Sequence, residues 1–223
     1  LAFDAGDQKV SHLFWNTVSG EMRTILVRFF QSQMAEHFYL AGGTALALQI
    51  GHRQSADLDL FSPTLDIPTS RKQLEAALAP GGYTLADSAW GNLVYLVQGV
   101  RIGFYGYGFP LVRPLVEVEE ARLASIEDIA LMKLDALLSR AARKDFYDLY
   151  FICKNIPLQQ IFQKAPQKYT SIRDFEAQTV KRLVYFESAE NDSDPVLLRP
   201  VAWQTVKDYF IGQAKEIEQG WLK

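Results

Sequence analysis

Near residue 122 the spacing of the apolar residues changes, and that change limits the folds open to this chain. Before it, short apolar runs alternate with helical stretches. Phe38 to Ala41, Asp57 to Phe61, Tyr83 to Ala86, Leu93 to Gln98, Val100 to Tyr105 and Leu115 to Val118 read as strands. Between them lies a helical pattern over 8–36, where Leu13, Phe14, Val18, Met22, Ile25, Leu26, Phe29 and Phe30 recur at spacings of three and four. Shorter helices are predicted over 45–50 and over 67–79, the latter with Thr69 or Ser70 as cap. Beyond residue 122 the strand signals stop. Ser125 with Asp128 three residues later resembles an N-cap pair. Helices are predicted at 125–140, 143–154, 158–166, 172–186 and 202–218, with the polar stretch 187–195 as a loop. The expected architecture is α+β: residues 1–122 form a mixed β-sheet flanked by helices, and residues 123–223 form a helical bundle packed against it.

Composition narrows the function classes. The chain has 223 residues, 48% hydrophobic and 22% charged, which excludes a mostly disordered chain and a collagen-like repeat. A formal net charge of -3 argues against a globally basic nucleic-acid binder. Arg140, Arg143, Lys144, Lys164, Lys168 and Arg173 are read as scattered surface charge rather than as a basic edge for RNA. Cys153, the single cysteine, has no partner for an internal disulfide and stands on an apolar stripe, so a cytoplasmic setting and a core position are expected. No run approaches the roughly 20 apolar residues of a membrane helix, so no membrane partner is expected. The N-terminal residues lack a basic and an apolar signal-peptide region.

The local chemistry is concentrated in Gly42-Gly43-Thr44 and Asp57-Leu58-Asp59. On a strand, alternate side chains share a face, so Asp57 and Asp59 project together while Leu58 enters the core. Two carboxylates so close repel, and a divalent cation removes the conflict. Mg²⁺ (or Mn²⁺) takes oxygen ligands and commonly binds through one or two carboxylates plus substrate phosphates. Two glycines let backbone N–H groups approach a ligand. Thr44 is placed to cap the following helix or to hydrogen-bond a phosphate, and a helix N-terminus favours anions. Arg53 and Ser55 lie between the two motifs.

In this order, Gly42-Gly43-Thr44, His52-Arg53-Gln54-Ser55 and Asp57-Leu58-Asp59 resemble the nucleotidyltransferase superfamily and, more closely, the AbiEii/AbiGii toxin-like family. A second block agrees. Ser125 to Lys133 resembles that family's lysine-bearing helix, and Arg143-Lys144-Asp145-Phe146-Tyr147-Asp148-Leu149 its Lys-Asp-x-x-Asp-Leu helix. The resemblance spans about residues 38–154 and implies a nucleotidyltransferase-like fold. It implies transfer of a nucleoside monophosphate from an NTP to a hydroxyl, with RNA, such as a tRNA end, as acceptor and a cognate antitoxin as protein partner. Asp57 and Asp59 would then hold the metal, and Gly42, Gly43, Thr44, Arg53, Ser55 and Lys144 the nucleotide. Lys133 would act at the phosphates, oriented by Asp145 and Asp148. His52 is expected to be a hydrogen-bonder in the loop.

The second block also has a plain physical reading. Asp145 and Asp148 share a helix face, and Lys133 follows Ile126 and Ile129 at seven and four, which turns it toward the packed side. A buried ammonium needs a partner, and a salt bridge to either aspartate would supply one. One departure bears on function. The superfamily usually carries a third carboxylate on a neighbouring strand, but Val100–Tyr105 sets Arg101, Gly103 and Tyr105 on one face, with Gly103 where an acid is expected. Glu117 and Glu119 are the substitutes considered. A degenerate, catalytically weak nucleotide-binding or protein-interaction module therefore stays open beside the enzyme, as does a small-molecule acceptor.

Overall fold

The computed structural model describes residues 12–221, which divide between Ser125 and Ile126 into two compact units. The first is a seven-stranded mixed sheet with helices. Its strands are β1 (Tyr39–Leu40), β2 (Asp57–Ser62), β3 (Thr84–Asp87), β4 (Leu93–Val97), β5 (Val100–Gly106), β6 (Val116–Val118) and β7 (Ala121–Leu123), in the spatial order β3-β4-β5-β2-β1-β7-β6. β2 runs parallel to β5 and β1 parallel to β7, and the remaining neighbours are antiparallel. β7 carries no signal of its own. Three residues are too few for an alternating pattern, and it exists because Leu40 pairs with Leu123.

The helices of this unit are α1 (Gly20–Phe30), α2 (Gly42–Ile50) and α3 (Arg71–Leu78). α1 is shorter than the periodicity predicts. Ser19 caps it, its side chain accepting from the Met22 N–H at 3.2 Å, and Val18 is extended. The preceding residues are drawn away, with the Phe14 N–H on the Leu48 carbonyl at 2.8 Å. Residues 8–11 of the expected helix lie outside the described residues. Met22, Ile25, Leu26 and Phe29 form the buried stripe of α1. Phe29 meets Phe38 and Phe104 at ring separations of 5.7 and 5.4 Å, so Leu58, Leu60, Ile102 and Phe104 form the apolar side of the central strands. Strand alternation then sends Asp57, Asp59, Arg101 and Tyr105 to the opposite face.

The second unit is helical: α4 (Ile126–Ser139), α5 (Arg143–Cys153), α6 (Leu158–Lys168), α7 (Phe175–Leu183), α8 (Glu187–Glu190) and α9 (Trp203–Trp221). Phe146, Phe186, Trp203 and Phe210 share its aromatic core. The stretch expected as a loop contains α8, and Arg143 holds it in place. The Arg143 Nε donates to the Ala189 carbonyl at 2.8 Å, Nη2 to that of Glu190 at 3.1 Å and Nη1 to Asp194 at 3.0 Å. Lys168, read from sequence as surface charge, is fully buried and paired with buried Asp128 at 2.9 Å. Asp128 thus holds a lysine 40 residues away in sequence. Among the described residues no helix is long and apolar enough to cross a membrane.

Candidate active site

The register of two parallel strands creates the site. Asp57 stands opposite Arg101, Asp59 opposite Gly103, and Phe61 opposite Tyr105. Paired residues of neighbouring strands share a face, so two acids, one guanidinium, one bare glycine and one phenol are brought together. Asp57 and Asp59 are both partly exposed, while Leu58 and Leu60 between and beyond them are buried.

Gly42 places the α2 terminus against this face. Its φ is +65°, and a Cβ there would lie 3.2 Å from the Asp59 Oδ2. An L side chain is strained in that conformation and would crowd the carboxylate. Gly42→Ala should therefore cost about 1–2 kcal/mol of stability, read as a lower urea midpoint at unchanged slope; an unchanged midpoint would mean the helix entry relaxes freely. α2 begins at Gly42 itself, three residues earlier than predicted, with Gly43 partly exposed in its first turn. The opening N–H groups of a helix lack intrahelical acceptors, and they make this end attractive to anions.

Thr44 and Ser55 tie the motif together from within. Thr44 is buried; its hydroxyl donates to the Asp57 carbonyl and lies 2.7 Å from the Ser55 hydroxyl. That fastens the first turn of α2 to the start of β2, a use of Thr44 different from direct phosphate binding. Arg53 and His52 are buried, and the Arg53 Nη1 donates to the Gln54 carbonyl at 2.9 Å.

Arg101 and Tyr105 complete the face. The Arg101 Nη1 is 3.7 Å from the Asp59 Oδ1, and its Nη2 donates to the Tyr105 hydroxyl at 3.3 Å. Partial burial opposes the Arg101 charge, but the Tyr105 hydrogen bond and the nearby acids outweigh it, so its pKa is raised. Burial, then the Asp59 charge, raises the Tyr105 phenol, which stays protonated at neutral pH. The expected site for a third acid is held by neither candidate substitute. Glu119 accepts from the Trp15 Nε1 at 2.7 Å and the Leu13 N–H at 3.3 Å. Glu117, on β6, faces Arg122 at 3.6 Å, three strands or roughly 14 Å from β2.

Aromatic rings of β2, of β5 and of the segment after β5 contact one another. Phe61 stacks on Tyr105 at 5.1 Å and meets Tyr107 edge-on at 5.5 Å, and Tyr107 meets Phe109 edge-on at 5.3 Å.

The helical unit holds the second predicted cluster. The Lys133 Nζ lies 2.8 Å from the Asp145 Oδ1 and 2.6 Å from the Asp148 Oδ2, and all three side chains are buried. Arg140 adds a two-pronged contact to Asp145, Nε to Oδ2 at 2.8 Å and Nη2 to Oδ1 at 2.9 Å. Lys133 bonds both aspartates rather than one. Burial acts to raise the Asp145 pKa, but Lys133 and Arg140 overcome it and hold the carboxyl below the usual range. Lys144 is exposed on α5. On the same helix, loss of solvation pushes the half-buried Cys153 thiol up to about 12, so it carries no thiolate chemistry.

Comparison with known proteins adds to this geometry. A family model described as nucleotidyl transferase AbiEii toxin, Type IV TA system, matches residues 24–88 and 99–221. The uncharacterized protein aq_aa25 of Aquifex aeolicus (strain VF5) is 32% identical over 208 residues, covering 88% of this chain and 95% of the relative. Among solved structures, the fold is similar to MenT4, a nucleotidyltransferase toxin of Mycobacterium tuberculosis H37Rv, with a TM-score of 0.58 at 16% identity, over 90% of this chain and 85% of that one. It is also similar to the antibiotic-resistance factor ANT(2'')-Ia, with a TM-score of 0.51 at 15% identity, over 66% of this chain and 91% of that one.

Proposed function

Since the chain belongs to the AbiEii nucleotidyltransferase toxin family, we propose that it moves a nucleoside monophosphate from an NTP to a hydroxyl of an RNA acceptor, and that a cognate antitoxin restrains it. The observation that carries this reading is the pair Asp57 and Asp59 on one sheet face, with Asp59 at the glycine entry of α2. In the reaction the acceptor oxygen bonds the α-phosphorus, the bond to the β-phosphate's bridging oxygen breaks, and pyrophosphate leaves with that electron pair. The proton of the acceptor hydroxyl passes to solvent.

The donor set fits a divalent cation such as Mg²⁺ or Mn²⁺, because Asp57 and Asp59 offer partly exposed carboxylate oxygens on one face. When bound, such an ion would neutralise charge developing on the phosphate oxygens. The chain's own groups do the rest. The first N–H groups of α2 attract phosphate, with Gly42 and Gly43 allowing close approach. Thr44 and Ser55 keep α2 in register with β2, and Arg53 supports the same segment from its buried position. In the helical unit Lys133 is buried between Asp145 and Asp148, which fix its position.

One observation favours a second reading, a nucleotide-binding module with weak or no transfer: Gly103, not an acid, faces Asp59. Incubation with NTPs labelled at the α-phosphate, Mg²⁺ and total RNA separates the two. The enzyme reading expects label in RNA and release of unlabelled pyrophosphate. Binding of NTP without any label transfer to RNA or to a small hydroxyl acceptor would establish the module instead.

A further inference from the structure

On the carboxylate face, β5 presents hydrogen-bond donors at the place where a side chain on residue 103 would stand. A Cβ on Gly103 would overlap the ring and hydroxyl of Tyr105. Tyr105 has folded back along its own strand over the bare glycine. Its oxygen accepts from the Arg101 Nη2 at 3.3 Å. Arg101 is thereby held from one side by the phenol and from the other by Asp59, at 3.7 Å, while its side chain remains 44% exposed. An acid at residue 103 would have added an acceptor for a cation. Arginine is a donor only, and a protonated phenol can donate.

We propose that Arg101 and Tyr105 form an anion-binding arm of the site that takes phosphate oxygens of the nucleotide beside Asp59. The inference rests on the nucleotidyltransferase reading for the identity of the anion. Its physical basis is charge. Asp57 and Asp59 repel a polyphosphate, and a guanidinium on the same face offsets that repulsion. The planar fork of Arg101 matches two phosphate oxygens at once. The Asp59 contact at 3.7 Å is long for a charge-assisted hydrogen bond, so the guanidinium can exchange it for a phosphate oxygen. Tyr105 keeps the fork aimed, and its protonated hydroxyl can donate to the same anion. The arm therefore binds phosphate without a divalent ion, which two carboxylates alone would not.

Calorimetric titration of the full chain with inorganic pyrophosphate, in chelator with no divalent ion, tests this. Arg101→Met is expected to lower the affinity about tenfold or more, Arg101→Lys by less, and Tyr105→Phe roughly threefold. Asp59→Asn is expected to raise it, since a repelling charge goes and Arg101 is released. A pair that merely braces Asp59 would leave the pyrophosphate affinity unchanged in Arg101→Met. That result, or no pyrophosphate binding by the wild type, overturns the proposal. Should Arg101→Met fail to fold, Arg101→Gln takes its place: lowered affinity supports the arm, and unchanged affinity refutes it. The labelled-NTP assay keeps the two readings apart. Transfer with an insensitive Arg101 defeats the arm alone, and no transfer with an Arg101-dependent pyrophosphate affinity defeats only the enzyme reading.

Discussion

Lys133→Met is expected to destabilise the helical unit by about 3–5 kcal/mol, the usual consequence of removing one member of a buried ion pair. The lysine bonds Asp145 at 2.8 Å and Asp148 at 2.6 Å, and neither carboxylate is exposed. Removing it leaves two buried like charges without their shared cation. Arg140 still reaches Asp145, but its side chain is 57% exposed, so solvent weakens what it can offset. Urea unfolding followed by the loss of helical signal gives the measurement. A loss below about 1 kcal/mol, the range of surface pairs, would show that the cluster is dispensable for folding.

The same cluster sets a pH dependence. The Asp145 pKa is lowered from 3.8. A carboxyl depressed in the folded state stabilises it fully above the unfolded pKa and loses that contribution as pH falls through the folded value. Wild-type stability should thus drop on acidification below about pH 4. In Lys133→Met the depression is smaller, so protonation of Asp145 should begin at a higher pH and the acid-induced slope below pH 4 should be shallower. Identical slopes in the two proteins would exclude Lys133 as a source of the shift.

The second large effect concerns activity. Asp57→Asn and Asp59→Asn should each lower nucleotide transfer by about 10²–10³-fold or more, the range seen when a group that stabilises transition-state charge is removed. Their effect on folding should stay within about 1 kcal/mol, because both side chains are partly exposed on the sheet face and neither belongs to the apolar core. Asparagine keeps the size and loses the charge that a cation requires. The check is label transfer measured beside the melting temperature of each variant. Full transfer in the double variant would remove the two acids from the mechanism, whatever else the fold provides.

Lys133 and the aspartates show how far local pattern reaches. Asp145 and Asp148 are three apart on one helix, so their shared face follows from helical pitch alone, and the spacing of Lys133 from Ile126 and Ile129 already turned it inward. Which aspartate it would meet did not follow; both do, because α4 packs on α5 in one particular rotation. Lys168 is the harder case. Nothing near it in sequence marks it as buried, and its partner Asp128 lies 40 residues away. Apolar spacing continues through Leu13 and Phe14, but Ser19 decides where the backbone enters α1.

The chain's alternation and spacing were enough, unaided, to place Asp57 beside Asp59 and to separate a strand-rich half from a helical one, since each depends on geometry repeating over two to four residues. Only the folded sheet decided that Gly103 faces Asp59, that Tyr105 bends over that glycine, and that Arg101 meets the acid at 3.7 Å. Those pairings join distant strands, and their register is set by the packing of whole apolar faces rather than by any neighbouring residues.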